Sequence, residues 1–564
     1  MQKLVSFIVI SVLLLEPLPG FAFNQSEVFF IDFSYDVSWR SQVTAALRYT
    51  GQNAYFFVEN SFYDSLSGNA LIDFNVALKS LSDEFDVNIY PKERQFFGSE
   101  WSPGIDSDAR ITILVASMKN SVGGYFRKED EYSRTIIAIS NEREMVYLNA
   151  GVIGSDFAKS YLAHEFQHLI DFYQKEKLNG VPETTWLNEA LSEYAPTLLG
   201  YNALWQGSYL QKRVQDFLNL PPDSLIRWDA TSADFSSINL FIHYLVSRFG
   251  EDILKNIIAS DAVGIDALNQ ALITHGSTFQ GIFLDWAVTN YFNNITEENR
   301  DQYTYRQPNL FYGNFHTSPR ATFNVIEGSK SSGTFALGDW QADYYKIRPA
   351  VLGPTGKNTL EVIFNGQDQN SRFALSIITS DFSGRSKVRP FVLNAYQDGV
   401  LTVPFFGTDI ASVTLVVTSQ FDPSGEDKFS KQFSIETVLK ESGGALPQYP
   451  DGFLLRAAGD KKVYVIRGDS KRWIQSPEIF NGYGHLKWEN IREVSPDVIA
   501  AYQESFLVRR DDDYRVYETD ASGNKHWLNM TVQTFESSGR RWEQIYIINE
   551  NELRWFKTGS DVRV

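Results

Sequence analysis

The sequence predicts a multidomain chain in which an α+β domain is followed by an all-β sandwich and then by two small β-rich repeats. Up to about residue 315, strand-like and helix-like apolar patterns alternate, whereas from residue 320 only short alternating strands remain. After residue 453 the sequence repeats itself with an offset of 53 or 54 residues. We therefore expect domains at 23–315, 320–440, 453–505 and 506–564, with a Gly- and Pro-containing linker at 441–452.

The first 22 residues have the pattern of a cleaved export signal. A basic start at Lys3 precedes an apolar run at 5–15, which is too short to span a bilayer. Gly20-Phe21-Ala22 then supplies small residues at the positions that signal peptidase reads. The pattern predicts cleavage after Ala22 and a secreted or cell-surface protein without a transmembrane segment; a buried N-terminal helix is the alternative interpretation.

Composition limits the partners and the compartment. The 564 residues are 43% hydrophobic, which is enough for globular cores, and they include no cysteine, so disulfides are excluded. Asp and Glu number 69 against 51 Lys and Arg, giving a net charge of -18. This acidity argues against binding to nucleic acid or to an anionic membrane surface.

The α+β part combines a mixed lobe with a helical lobe. Strands are predicted at 28–33, 53–58 and 110–115, and a helix is predicted at 73–81. Helical apolar spacing then dominates at 240–249, 252–259 and 279–291. We expect a cleft between the two lobes.

The segment HEFQH is the most informative motif. His164 and His168 are four residues apart in an apolar, helix-compatible run, so both imidazoles lie about 40° apart on one helix face and can reach one ion. Glu165 lies between them, where it can take a proton from a metal-bound water. A solvated surface helix with two unconnected histidines is the alternative.

A third ligand follows in the segment WLNEALSEYA. Glu189 opens a second helical pattern about twenty residues after His168. Two histidines and one glutamate leave the fourth position of a tetrahedral zinc open, which is typical of catalytic rather than structural zinc sites. The combined motif therefore favours one catalytic Zn²⁺.

HEFQH followed by WLNEALSEYA resembles the gluzincin metallopeptidases. WLNEALSEY is similar to the WLNEG-type segment of membrane-alanyl-type aminopeptidases and to the NExxSD segment of thermolysin-like enzymes. The wider stretch, including 89–91, 97–101, 123–126 and 140–145, looks most like the secreted hyicolysin-type neutral metallopeptidases. The resemblance covers roughly residues 30 to 300 and implies a zincin-type α+β fold.

Carried over residue by residue, the resemblance implies a complete hydrolytic site. His164, His168 and Glu189 would be the zinc ligands, and Glu165 would be the general base. Glu193 matches the position of a carboxylate that orients the first histidine in thermolysin-like enzymes. One helical turn after Glu189, it can accept the other ring N–H of His164; a solvated helix carboxylate is the alternative.

The donor that stabilises the tetrahedral oxyanion is the open question. Such donors usually come from a later helix, here 235–245. Related enzymes often carry a tyrosine where this chain has Phe235, which has no hydroxyl. His243 is the first substitute and Tyr244 the second, although a lone histidine on an apolar helix is commonly a satisfied core residue.

The sequence favours an endopeptidase over an aminopeptidase. Nothing between Ser121 and Asn149 matches the GxMEN-like acidic loop with which membrane-alanyl-type aminopeptidases anchor a substrate amine. Tyr125 and Phe126 are instead predicted to form an exposed strand that pairs with an extended peptide. Protein or peptide substrates are therefore expected. Asp106 and Asp108 could ligate Ca²⁺, although an Asp-rich turn is the simpler interpretation.

The C-terminal half carries no catalytic constellation. The predicted sandwich resembles accessory modules of secreted peptidases, and the repeats are similar to those appended to bacterial surface and secreted proteins. Their tryptophans favour core packing over contact with glycans or a cell surface. The leading hypothesis is a secreted zinc endopeptidase, and the alternative is a surface adhesin with an inactive peptidase-like domain.

Overall fold

The computed structural model describes residues 26–293, 302–311, 313–326, 329–350, 359–367, 372–394, 396–420, 430–440, 449–494, 496–538 and 540–562. The export signal predicted at 1–22 and most of the linker predicted at 441–452 lie outside these residues. The chain divides into two compact units, of which the first comprises residues up to Pro221, Leu225–Phe279 and Arg306–Asn309 and the second comprises the remainder. None of the helices in the described part of the chain combines the length and apolar character that a membrane span requires.

A six-stranded mixed sheet forms the centre of the first unit. Its strands are β1 (Ser26–Phe30), β2 (Gln42–Thr50), β3 (Ala54–Glu59), β4 (Ile111–Ala116), β5 (Gly124–Phe126) and β6 (Met145–Asn149), in the order β1-β2-β3-β4-β6-β5. Strands β3, β4 and β6 are parallel, whereas the edge strand β5 runs antiparallel to β6. Strand β4 is buried along its whole length because both faces of the sheet are covered.

Helices supply the rest of the first unit. They are α1 (Asn60–Tyr63), α2 (Gly68–Glu84), α3 (Tyr90–Phe97), α4 (Ala158–Asp171), α5 (Thr185–Leu198), α6 (Tyr209–Asn219), α7 (Ser232–Phe249), α8 (Asp252–Ala259) and α9 (Gly264–Ile273). A π-helical segment, Phe85–Ile89, joins α2 to α3, and a second one, Phe172–Leu178, extends α4. The predicted order of a mixed part followed by a helical part therefore describes this unit.

Two sheets share one apolar core in the second unit. One sheet has the order β13-β10-β15-β8 and the other the order β12-β11-β14-β9-β7. The strands are β7 (Ala321–Val325), β8 (Lys330–Leu337), β9 (Ala342–Pro349), β10 (Thr359–Asn365), β11 (Phe373–Asp381), β12 (Ser386–Phe391), β13 (Asp398–Val403), β14 (Ile410–Ser419) and β15 (Lys431–Lys440). Phe364 and Phe433 of the first sheet belong to the same cluster as Phe373 and Leu415 of the second. The two sheets are therefore packed as layers around a common interior.

Helix α10 (Phe279–Phe292) belongs almost entirely to the second unit. The sequence places it in the domain predicted at 23–315, whereas its residues from Gln280 onward group with the second unit. Ala287 and Val288 pack in one cluster with Tyr344 and Val416 of the sheets. The helix is apolar on all sides, so the sequence pattern gave no indication of which unit it would cover.

The two C-terminal repeats have the same topology. The first contains β16 (Leu454–Ala457), β17 (Val463–Arg467), β18 (Ser470–Ile474), α11 (Pro477–Asn481), β19 (Ile491–Val494), α12 (Pro496–Ala500) and β20 (Gln503–Glu504). The second contains β21 (Leu507–Arg509), β22 (Tyr517–Thr519), β23 (Asn524–Trp527), α13 (Val532–Ser537), β24 (Tyr546–Ile547), α14 (Glu550–Trp555) and β25 (Lys557–Thr558). The sheet orders, β19-β16-β17-β18-β20 and β24-β21-β22-β23-β25, correspond strand by strand. This correspondence agrees with a tandem duplication.

The repeat tryptophans fall into two classes. Trp473 and Trp527 pack against the cores of their repeats, as expected. Trp488 and Trp542 are 48% and 43% exposed, although each ring lies on a phenylalanine, Phe480 or Phe535. Each of these two indoles therefore packs on a core residue while remaining partly exposed to solvent.

Candidate metal centre

Helix α4 carries the HEFQH motif in a buried setting. The helix is apolar at most positions, and its side chains at His164, Glu165 and His168 are all buried. Burial of three polar side chains on neighbouring positions costs free energy unless each finds a partner. A solvated surface helix therefore does not describe this segment.

The two histidines and Glu189 converge on one point. Nε2 of His164 lies 3.1 Å from Nε2 of His168 and 3.1 Å from Oε2 of Glu189, and the distance from Nε2 of His168 to that oxygen is 3.5 Å. Ligands about 2.0–2.1 Å from a tetrahedral zinc lie about 3.3 Å from one another. Among the described residues, His164, His168 and Glu189 form the group of His, Cys, Asp or Glu side chains whose potential ligand atoms all lie within 4.8 Å of one another.

Asn188 holds the ring of His168. Its Oδ1 lies 2.5 Å from Nδ1 of His168, and its Nδ2 donates to Asp171. Because the amide oxygen only accepts, Nδ1 carries the hydrogen and Nε2 presents its lone pair to the centre. Ser192 also contacts this Nδ1 at 3.0 Å. Sequence reasoning missed Asn188 and Asp171, although Asn188 directly precedes Glu189.

Glu193 lies behind His164, as the motif predicts, but at a distance longer than a hydrogen bond. Its Oε1 is 3.6 Å from Nδ1 of His164, and that nitrogen has no hydrogen-bond partner among the described residues. The carboxylate is held instead by Tyr209, Arg213 and Asn239. Burial opposes its ionisation, but Arg213 and His164 keep the pKa of Glu193 below its usual value.

Opposite charges stabilise one another inside the centre. Burial alone would lower the pKa of His168, but the Glu189 carboxylate raises it to about 9. Burial alone would raise the pKa of Glu189, but His168 and His164 bring it well below its usual value. The point where the three ligand atoms meet therefore favours positive charge.

Glu165 stands at the edge of the sheet. A Cβ built on Gly124 of strand β5 would lie 2.9 Å from its Cγ, so the side chain rests directly against this glycine. Burial raises the pKa of Glu165 to about 7, against the opposing effect of His164 and His168. The carboxyl group is therefore close to the ligand atoms and to the outer strand at once.

Strand β5 offers an open edge beside Glu165. It pairs only with β6 among the described strands. The N–H of Asn149 donates to the carbonyl of Gly123, so Gly123 is a hydrogen-bonded position of the ladder. Because such positions alternate, Gly124 and Phe126 direct their backbone N–H and C=O away from β6. The Phe126 ring stacks at 6.4 Å on His168, which places this edge next to the ligands.

The two predicted oxyanion donors, His243 and Tyr244, lie further along helix α7 than Phe235. Phe235 does approach the centre, with its ring 6.3 Å from that of His164. His243 uses Nδ1 for the carbonyl of Asn239 and Nε2 for the hydroxyl of Thr197, and burial lowers its pKa to about 4. Tyr244 is fully buried. His243 therefore corrects our prediction: it is a satisfied core histidine, two turns beyond Phe235.

Two other tyrosines lie near the carboxylates. The pKa of Tyr35 is raised by partial burial and then by the charges of Asp32, Glu189 and Glu165. The pKa of Tyr161 is raised by burial and, more weakly, by Glu193 and Glu165. Tyr161 precedes Glu165 by one helical turn, whereas Tyr35 comes from the loop after β1. Tyr35 could not be predicted from the motif, because its proximity to these carboxylates depends on the fold.

The aspartates that could have ligated calcium occupy a turn. Oδ1 of Asp106 accepts the N–H of Asp108 at 2.9 Å, and the two oxygens of Asp108 accept from Arg110 and from Tyr55. An Asp-rich turn accounts for Asp108 fully.

Comparisons with known proteins add no assignment. No family model matches the sequence, and no curated protein matches it either. A mitogen derived from Yersinia pseudotuberculosis is 12% identical over 22% of this chain and 97% of that chain, with a TM-score of 0.15. PliG, a periplasmic inhibitor of g-type lysozyme from Salmonella Typhimurium, is 14% identical over 21% of this chain and 99% of its own, with a TM-score of 0.13. CorA, a surface-associated copper-binding protein of Methylomicrobium album BG8, is 8% identical over 22% of this chain and 99% of its own, with a TM-score of 0.14. Such low TM-scores carry no argument about this chain.

Proposed function

We propose that this protein is a secreted zinc-dependent endopeptidase, with the mixed sheet and helices of the first unit forming a zincin-type metallopeptidase domain. One observation carries the proposal. The three ligand atoms of His164, His168 and Glu189 lie 3.1–3.5 Å from one another, with the carboxyl group of Glu165 beside them. Such a donor set suits zinc with one open position.

The residues around these atoms fit a cation. Asn188 fixes the hydrogen of His168 on Nδ1, which turns a lone pair toward Nε2 of His164 only 3.1 Å away. That lone pair needs a proton or a metal ion beside it, because another ring nitrogen lies so close. The Glu189 oxygen adds a formal negative charge to the same point. The donors are therefore arranged for an ion that imidazole and carboxylate both bind.

Each catalytic task has a candidate residue. When bound, zinc would lower the pKa of a coordinated water and polarise the scissile carbonyl. Glu165 would accept the proton of that water and later donate it to the leaving amine. Asn188 would keep the imidazole of His168 oriented through Nδ1, and the Glu193 carboxylate, 3.6 Å from Nδ1 of His164, would act on that ring through its charge.

The open edge of β5 supports peptide binding in an extended conformation. The outward N–H and C=O groups of Gly124 and Phe126 would pair with the backbone of a substrate. Gly124 has no side chain to block this approach beside Glu165. A substrate that runs along an open-ended edge does not have to begin there, which is the geometric reason for favouring an endopeptidase.

The test combines metal content with cleavage. The protein from residue 23 onward should bind about one zinc per chain and cleave casein. His168→Ala should lose both properties, whereas His275→Ala, which removes an exposed histidine, should retain both. Casein cleavage by a zinc-free preparation would contradict the proposal.

An inactive, adhesin-like protein is the second candidate, and Phe235 is the observation that favours it. The ring faces His164 where related enzymes often place a hydroxyl. This candidate predicts zinc binding without cleavage of any substrate in a broad peptide panel. The same panel therefore separates the two functions.

A further inference from the structure

A second group of carboxylates lies where three segments of the first unit meet. Glu131 ends the 3₁₀ segment Lys128–Glu131, and Glu144 directly precedes strand β6. Asp106 belongs to the turn that follows Gly104. Glu131 and Glu144 are only 1% and 2% exposed, whereas Asp106 lies at the exposed margin.

Three of the four oxygens of the two buried carboxylates have no donor among the described residues. Neither oxygen of Glu131 has a hydrogen-bond partner among the described residues, and neither does Oε2 of Glu144. The second oxygen of Glu144 accepts only the N–H of Ile105, at 2.7 Å. Besides burial, the Glu144 carboxylate raises the pKa of Glu131, and the charge of Asp106 raises the pKa of Glu144, so the three groups act on one another. The carboxylate oxygens of Glu131 and Glu144 are therefore hydrogen-bond acceptors that are buried together without matching donors.

Neighbouring Asp130 is equally buried, but the fold supplies its carboxylate with donors. Its oxygens accept from the hydroxyl of Tyr147 and from the backbone and side chain of Asn141. The described residues provide no hydrogen-bond donor for either oxygen of Glu131. An unpaired buried charge is strongly unfavourable, so a fold that places two carboxylates together needs a bound cation or a proton at that point.

The nearby cationic side chains are committed to other groups. The Lys177 ammonium lies over the rings of Trp101 and Tyr132, at 4.4 and 4.3 Å from their centroids. Arg143 forms an ion pair with Glu27. Lys177 reduces the negative potential at Glu131, but one cation does not balance three carboxylates.

The backbone is shaped around Glu144. Gly104 has a φ of 76°, and a Cβ there would lie 1.8 Å from the Glu144 carboxyl carbon. The carboxylate thus rests on the bare Cα of this turn. A site that offers oxygen atoms alone suits a hard cation, and buried carboxylates from separate loops suit the flexible geometry of calcium better than the strict octahedron of magnesium.

We propose that Glu131 and Glu144, with Asp106 at the margin, hold one calcium ion that ties these three segments together. Calcium takes six to eight oxygens at about 2.3–2.6 Å, so ligands on opposite sides are nearly 5 Å apart and backbone carbonyls and water complete the shell. Strand β5 ends two residues before Lys128. The ion would therefore fix the end of the strand beside Glu165, without contributing to zinc binding.

The test measures thermal stability in calcium-free protein reloaded with one equivalent of zinc. Addition of CaCl₂ should raise the Tm by about 5 °C or more once calcium is well above its Kd, and MgCl₂ should have a smaller effect. The double variant Glu131→Gln, Glu144→Gln should lose this response. Because it also lacks the repulsion between two carboxylates, it should be at least as stable as the calcium-free parent.

Two controls separate calcium binding at this site from general effects of salt and of zinc. Glu129→Gln, on the same 3₁₀ segment, should keep the full calcium response, and zinc content should be the same in all three proteins. An unchanged Tm of the parent in calcium would overturn the proposal. A Tm of the parent that falls as the pH rises but does not respond to calcium would also overturn the proposal. In that case the two carboxylates share a proton instead of binding an ion.

Discussion

Arg213 holds both carboxylate oxygens of Glu193 inside the first unit. Its Nε donates to Oε2 at 2.9 Å and its Nη2 donates to Oε1 at 2.6 Å, and both side chains are buried. The same carboxylate lies 3.6 Å from Nδ1 of His164. The ion pair thus connects helix α6 to the candidate metal ligand.

Replacing Arg213 should damage stability and zinc affinity together. Arg213→Met leaves a buried carboxylate without its cation, which should lower the free energy of unfolding by about 3–5 kcal/mol. Urea denaturation followed by tryptophan fluorescence measures this change. Lys79→Met, which breaks the exposed pair with Asp83, should leave the urea midpoint close to that of the parent. Equal urea midpoints for Arg213→Met and the parent would contradict the assigned role.

Gly124 should tolerate no side chain. In Gly124→Ala the new Cβ would lie 2.6 Å from the carbonyl oxygen of Tyr147 and 2.9 Å from Cγ of Glu165. Displacement of the carboxyl group should lower kcat/KM by about 10²-fold while zinc content stays at the parent level. Gly151→Ala, whose Cβ would meet Oδ1 of Asn149 at an ordinary 3.4 Å, is the matched control. Parent-like peptidase activity in Gly124→Ala would show that Glu165 does not depend on this contact.

Tyr35 is the residue we expect to supply the hydroxyl that Phe235 lacks. Its ring packs on Tyr125 at 4.9 Å, and its side chain lies in the field of Glu189 and Glu165. Tyr35→Phe should lower kcat by about 10²-fold with little change in KM, because a donor to the developing oxyanion acts in the transition state. Steady-state kinetics of Tyr35→Phe and Tyr161→Phe, side by side, provide the check. A loss confined to Tyr161→Phe would assign the hydroxyl to Tyr161 instead.

Asp36 should make the stability of the loop between strands β1 and β2 depend on pH. It is buried and accepts from the N–H groups of Ser38 and Arg40, and it forms an ion pair with Arg40, which Glu59 also contacts. Burial raises the pKa of Asp36, but the bonds to Arg40 outweigh this effect and hold it below its usual value. A lowered pKa in the folded state stabilises the protein above the unfolded pKa, and this contribution is lost as the pH falls through the folded one.

Asp36→Asn should therefore be less stable than the parent at pH 7, by about 1.5–3 kcal/mol. The difference should shrink as the pH falls below about 4. Urea midpoints at pH 7 and pH 3 measure it, with Asp64→Asn as an exposed control. A difference that is the same at both pH values would mean that the charge of Asp36 has no part in holding the loop.

The central ligands were accessible from sequence because their geometry is local. His164 and His168 share a face through helical periodicity alone, and Glu189 opens the helix that follows. Asn188 and Asp171 are nearly as local, since each lies within three residues of a ligand. Their contact with each other, however, depends on how α4 and α5 pack, which periodicity does not specify.

The remaining residues depend on long-range packing. The pKa of Tyr35 responds to Glu189 and Glu165 although Tyr35 lies more than a hundred residues before the motif, and the pKa of Glu131 responds to Glu144 across a loop. His243 illustrates the opposite error: an attractive residue type on an expected helix proved to be satisfied by Thr197 and Asn239. Residue identity suggested the chemistry in each case, but only the fold decides which groups meet.

The most direct test of the account is the rate of casein cleavage by Glu165→Gln at the same zinc occupancy as the parent. The account predicts about one zinc per chain in both proteins and a rate at least about 10²-fold lower in the variant, because a glutamine amide cannot accept the proton of the attacking water. Parent-like cleavage by the zinc-loaded variant would contradict the assignment of Glu165 as the general base.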